Sequence, residues 1–129
     1  MGIIYKKEDF MPNNNVFPDC PVKRVEEIIE KKWTVRILLL LLQETRGFNE
    51  LQKNLEGISA NILNQRLVFL QERGLILKRV YQTNPISTFY SLTKKGEEFQ
   101  LVIDAMAVFG QTLKPPVQNL PIKPLLIEI

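Results

Sequence analysis

Between about Phe48 and Leu92 the sequence reads as a short helix, a tight turn, a longer helix and two alternating segments, a succession that few folds accommodate. Asn49 stands where it caps the short helix, which carries Leu51 and Leu55. Glu56-Gly57-Ile58 supplies the turn, and Ser59 caps the longer helix. That helix spans about Ala60 to Arg73. Leu63, Leu67 and Leu70 recur at i, i+4 and i+7 as its core stripe, and Gly74 offers a left-handed stop. At about 100° per residue, Asn61, Gln65, Val68 and Glu72 fall on the opposite face, so polar amides point outward. From Ile76 the period becomes alternating, which predicts strands over Ile76–Gln82 and Thr88–Leu92 joined by Thr83-Asn84-Pro85-Ile86-Ser87.

A hairpin placed directly after two helices in a tight turn is a wing, and the flanking segments agree with that frame. Pro21 opens a helix on which Val22, Val25 and Ile29 share one face until Lys31-Lys32 close the last turn. Trp33 to Gln43 is apolar almost all round and belongs at the centre of a domain. Thr93 caps a last long helix with two apolar stripes. Phe99, Val102, Met106 and Phe109 form the first, which can pack on its own domain; Leu101, Ala105 and Val108 form the second. The second stripe needs another cover, which a partner subunit provides, and Leu101, Ala105, Val108 and Phe109 are the dimerisation candidates. The fold class expected is mainly α with a small β-hairpin (α+β): a winged helix-turn-helix forming a homodimer through its terminal helices.

At 129 residues, 45% hydrophobic and 24% charged, the chain suits one globular domain. Its expected organisation is an N-terminal arm over 1–19, the winged domain with its dimerisation helix over 20–112, and a Pro-rich tail over 113–129. Net charge is only +3, but its distribution is uneven: nine Lys/Arg face nine Asp/Glu in residues 1–58, and eight face five in 59–129. The excess thus lies in the half holding the longer helix and the hairpin, which suits an anionic partner. A single cysteine, Cys20, rules out an intramolecular disulfide framework. With no signal-like start, and with the apolar run Ile37–Leu42 far short of a bilayer's thickness, a cytoplasmic location is expected, with no membrane association.

In this order and spacing, Cys20-Pro21-Val22, Lys32-Trp33-Thr34, Phe48-Asn49-Glu50-Leu51, Gly57-Ile58-Ser59, Leu63, Gln65-Arg66-Leu67, Leu70, Gly74-Leu75, Tyr90-Ser91-Leu92-Thr93 and Gly96 resemble the HxlR-type winged helix-turn-helix regulators of bacteria. The resemblance runs from Cys20 to about Gly110. It implies a homodimer, DNA read by the second helix of the motif, and no enzymatic activity. Three positions depart from the pattern. Glu30-Lys31 stands where the family usually has glycines, Asn61 where an arginine or another polar residue is frequent, and Ser87 where the wing commonly carries a basic residue.

Recognition of double-stranded DNA needs cations for phosphate and forked hydrogen-bonding side chains for base edges. Asn61, Asn64 and Gln65 supply the second kind, since an amide matches the N6/N7 edge of adenine; Asn64 flanks the other two. Ser59, at the helix N-terminus, is placed for a phosphate. Arg66 is assigned equally to phosphate contact and to packing of its stem. Lys78, Arg79, Thr83 and Asn84 can grip the backbone from the wing, although Lys78 and Arg79 point to opposite faces of one strand. Arg46 and Lys53 are further phosphate candidates from the first helix of the motif.

Cys20 has two readings. The positive helix end with Lys23 and Arg24 favours a thiolate sensing a small electrophile or oxidant, whereas Asp19 opposes it and a lone cysteine commonly serves as a small apolar group. In the resembling family some members sense quinones, aldehydes or oxidants through a cysteine here, and many carry one with no such role. The leading functional expectation is a sequence-specific DNA-binding regulator, a repressor ahead of an activator, on a pseudo-palindromic operator. The alternative is a winged-helix protein-interaction module without specific DNA binding. With no histidine, His-assisted nucleophiles and His-based metal sites are absent, no glycine-rich phosphate loop occurs, and no enzyme, cofactor or metal is expected.

Overall fold

A computed structural model of the chain describes residues 20–114; the arm expected over 1–19 and all but the start of the tail expected over 113–129 lie outside the described residues. The elements run α1 (Pro21–Ile29), α2 (Thr34–Gln43), β1 (Arg46–Gly47), α3 (Phe48–Asn54), α4 (Ala60–Glu72), β2 (Ile76–Tyr81), β3 (Ser87–Leu92), α5 (Lys94–Glu97) and α6 (Phe99–Thr112). The chain divides into two compact units, 1–99 and 100–129.

The core of the first unit draws on the predicted leucine stripes of α3 and α4 and on the apolar helix α2, together with side chains of the sheet that no period had marked, whereas the apolar face expected on α1 buries no residue. Ile37, Leu38 and Leu41 of α2, Leu51 of α3, Leu63, Leu67 and Leu70 of α4, Ile76 and Tyr90 of the sheet, and Phe99 are all buried. Covering such side chains contributes about 1.5–3 kcal/mol each before the ordering entropy is set against it.

Helix α4 is fixed at both ends. At its start Ser59 Oγ accepts the Ile62 backbone N–H at 3.1 Å. At its end Gly74 takes φ +74, the Gly74 N–H reaches the Gln71 carbonyl and the Leu75 N–H reaches that of Leu70. These two bonds are the glycine-terminated Schellman closure. The exit is then locked: Thr93 Oγ1 donates to the Gly74 carbonyl at 2.7 Å and accepts from the Gly96 N–H at 2.9 Å. Gly96 passes so near the Leu75 carbonyl that an added Cβ would sit 2.0 Å from its oxygen, so no other residue fits without backbone movement.

The structure corrects five details of the sequence reading, the first being that Thr93 caps only the short α5, which closes after Glu97, while the long apolar helix is a separate α6 from Phe99. Helix α1 closes at Ile29, so Lys31-Lys32 lie in the turn to α2, where Trp33 adopts φ +86 and the Thr34 hydroxyl is held between the Ile28 and Lys31 carbonyls. The N-cap of α3 is Gly47, which leaves Asn49 in the first helical turn. The sheet has three strands in the order β1-β3-β2, not two, because Arg46 and Gly47 pair antiparallel with Tyr90 and Phe89. The hairpin strands end one residue earlier and start one residue earlier than expected, at Tyr81 and Ser87.

In the second unit, α6 carries an apolar face that the described residues leave open. Val102 and Ile103 are half-buried, but Asp104 to Lys114 are all exposed. Leu101 is 73% exposed and Val108 and Phe109 67% each, so burial of the first predicted stripe stops short of Met106 and Phe109.

Candidate nucleic-acid interface

The outward face of α4 is the centre of the site. Burying Leu63, Leu67 and Leu70 turns Asn61, Asn64 and Gln65 to solvent, and all three are exposed, with side-chain amides that make no hydrogen bond among the described residues. Val68 and Glu72 continue the same exposed face. Ser59 is exposed too, but its Oγ already caps the helix, so a phosphate there would meet the first-turn N–H groups beside it.

Arg66 is half-buried and its Nε donates to the Lys32 carbonyl at 2.8 Å, which favours the packing role over a free phosphate grip by that nitrogen. Arg46 corrects the sequence reading outright. Its side chain is buried, with Nε on the Leu40 carbonyl at 3.1 Å and the guanidinium bonded to Gln43, Glu50 and Asn54. With its side chain buried and four of its five N–H donors bonded inside the fold, this fork ties the end of α2 to α3 and is spent on the structure instead of facing DNA. Lys53 stays exposed on α3.

The wing has a different character. Lys78 is in register with Tyr90 and Arg79 with Phe89, so the two cations do leave opposite faces, and both are exposed. Arg79 shares the outer face with Tyr81, Phe89 and Ser91 and, with Thr45, lines a shallow concavity of about 500 Å³. Tyr81 and Phe89 meet edge to face with ring centres 5.7 Å apart. At the tip, Thr83 Oγ1 donates to the Pro85 carbonyl at 2.6 Å, which occupies the hydroxyl proton; Asn84 is exposed, and Ile86 is 61% exposed. Inside the sheet, burial pushes the Tyr90 phenol above its ordinary pKa.

Cys20 is the N-cap residue of α1, but its side chain makes no capping bond and is buried. Among the described residues no cluster of acidic residues and cysteine is arranged to hold a metal ion, and no helix is long and apolar enough to cross a membrane.

Two helices meeting across a tight turn, the second presenting amides, followed by a hairpin, define the winged helix-turn-helix class. A model of the HxlR-like helix-turn-helix family matches residues 28–118, and the chain belongs to that family. It is 32% identical over 120 residues, 93% of its length and 88% of the relative's, to the uncharacterized HTH-type transcriptional regulator YdeP of Bacillus subtilis. Among solved structures it resembles a putative transcriptional regulator of the MarR family from Porphyromonas gingivalis W83, with TM-score 0.70, 34% identity, and coverage of 78% of this chain and 98% of that one. The reduced form of the regulator YodB from Bacillus subtilis superposes with TM-score 0.68 at 26% identity, covering 77% and 99%. Family membership makes the chain a DNA-binding transcriptional regulator rather than an enzyme.

Proposed function

We propose that the chain is a homodimeric repressor that lays α4 in the major groove of each half of a pseudo-palindromic operator and reads bases with Asn61, Gln65 and the flanking Asn64. The observation that carries this reading is the α4 face itself, three exposed amides unspent on the protein and held on a helix capped at both ends. The open apolar face of α6, with Leu101, Ala105, Val108 and Phe109 exposed, supports a partner subunit there, which would set the two reading helices about one DNA turn apart. Ser59 and the first-turn N–H groups beside it, with Arg66, Arg79, Thr83 and Asn84, serve as backbone contacts in this reading. Working on chromosomal DNA, the protein acts in the bacterial cytoplasm.

The test is binding of the purified protein to the promoter region adjoining its own gene, against scrambled DNA, at several salt concentrations. Gln65→Ala and Asn61→Ala should each cost about 1–3 kcal/mol of sequence discrimination. Equal affinity for the two DNAs would sink the reading. Amide variants that keep DNA binding intact but lose a protein partner would support the interaction-module alternative.

Redox control through Cys20 is a second reading, favoured by the description of the related YodB by its redox state. The buried thiol would have to become accessible to a small electrophile or oxidant. An oxidised bond would join subunits or a small thiol, since the chain has no second cysteine. Promoter protection that is the same before and after oxidant treatment, and in Cys20→Ser, would remove this reading.

A further inference from the structure

We infer that the turn between α1 and α2, together with the flank of α4 that it rests on, is a second DNA-backbone surface, gripping phosphates along one wall of the groove that α4 enters. This rests on the DNA-reading role given to α4 above. Lys31, Lys32, Arg36 and Arg66 converge there around two aromatic rings. Arg66 Nε holds the Lys32 carbonyl at 2.8 Å, Lys31 Nζ lies 4.9 Å from the centre of the Phe69 ring, and Lys32 and Arg36 lie 5.0 and 5.5 Å from that of Trp33.

The charge on this surface is not neutralised within the fold. A fifth cation, Arg73, also stacks on Phe69 but pairs with Glu27 at 3.1 Å. None of the other four has a carboxylate within ion-pair distance among the described residues, and Glu30, the acid nearest in sequence, pairs with none of them. Aromatic faces steady cations without cancelling their charge. The backbone beneath is fixed as well, since Trp33 is held at φ +86 and the buried Thr34 hydroxyl is held between two carbonyls of the turn. Cations presented on a set backbone lose less freedom when they bind.

The surface adjoins the reading face without a gap in sequence, because Arg66 follows Gln65. Arg66, Phe69 and Arg73 lie about 60–120° round the helix from the leucine stripe, between core and outward face. A helix seated in a major groove about 12 Å wide has a phosphate strand beside each flank. The wing tip, with an exposed isoleucine and a threonine hydroxyl bonded to its own loop, presents no cation to that backbone. The α1–α2 turn supplies the positive charge that such binding requires.

The experiment compares wild type, Lys32→Gln/Arg36→Gln, Gln65→Ala and the control Lys94→Gln on the promoter duplex and a scrambled duplex over a range of salt, with thermal melts to confirm equal folding. The double variant should bind both duplexes more weakly by the same factor, keep their affinity ratio, and flatten the plot of log affinity against log salt by about 0.9 for each phosphate that is no longer neutralised. Gln65→Ala should lower the ratio and keep the slope, and Lys94→Gln should change neither. A wild-type slope in the double variant, alongside lost preference in Gln65→Ala, overturns the inference and leaves base reading by α4 standing. A flattened slope in a protein that never prefers its promoter supports the phosphate surface and overturns the base reading instead.

Discussion

Helix α4 and the wing both belong to the proposed DNA surface, yet they are built in opposite ways. The helix rests on three leucines with no exposure at all, is capped by Ser59 and is closed by the Gly74 motif. The wing has buried side chains only near its base: Ile76 is covered, but every residue of β2 beyond it is exposed, and the tip ends in Ile86. Base reading needs side chains held in a fixed geometry, and the buried stripe supplies that to α4. Holding a phosphate backbone asks less of side-chain geometry, and the mostly exposed side chains of the wing meet that lighter demand.

Substitutions can break or sharpen this contrast. The largest effect should come from Leu67→Ala, which leaves a cavity under the reading helix and is expected to cost about 2–5 kcal/mol in urea unfolding. A cost near zero would show that α4 is not held by its core stripe. Arg46 ties the sheet of the wing to α2 and α3, since it sits in β1 opposite Tyr90 while its fork holds residues of those two helices. Arg46→Met should therefore cost about 1.5–3 kcal/mol, because the hydrogen bonds of a buried charged group disappear. If it instead left stability unchanged and flattened the salt dependence of DNA binding, Arg46 would be a phosphate contact after all.

Ser59→Ala removes one cap bond and should lower stability by about 1 kcal/mol, read as a fall in Tm. A pH effect should be smaller and confined to alkaline conditions. The Tyr90 phenol ionises at higher pH in the folded chain than in the unfolded one, so its contribution is complete below the ordinary value of 10.0 and is lost as pH rises through the raised one. Tyr90→Phe should flatten the alkaline limb of a stability–pH curve; an unchanged limb would mean that the phenol is not shielded. The smallest effect belongs to the wing tip, where Ile86→Ser should stay within about 0.5 kcal/mol because the side chain it replaces is not buried.

Much of this was legible in the sequence. Ser59, Gly74 and the leucine spacing carry local rules that act over a few residues, and the structure follows them. The outward direction of Asn61 and Gln65 comes from helical geometry once the leucines are placed. Other features had no local signal. A two-residue strand has no period, so β1 could not be read, and Gly47 rather than Asn49 caps α3 because that strand delivers the chain to the helix. Arg46 looked like any surface cation, since its partners Gln43, Glu50 and Asn54 are brought round it only when α2 and α3 pack. The basic cluster at Lys31, Lys32, Arg36 and Arg66 draws on residues more than thirty positions apart, joined by the Arg66–Lys32 bond.

The sequence by itself determined where α4 begins and ends, which of its faces is apolar, and that a hairpin follows it, because period, caps and turn glycines act through neighbouring residues. Only the tertiary structure decided which cations are spent inside the fold and which keep their charge unpaired on its surface. Arg46 and Arg66 carry the same side chain; one is enclosed by amides and carboxylates that α2 and α3 bring together, and the other leaves the flank of α4 to join Lys31, Lys32 and Arg36 in a cluster with no carboxylate partner among the described residues. Which polar groups converge on a charge is a property of packing, and no stretch of residues encodes it alone.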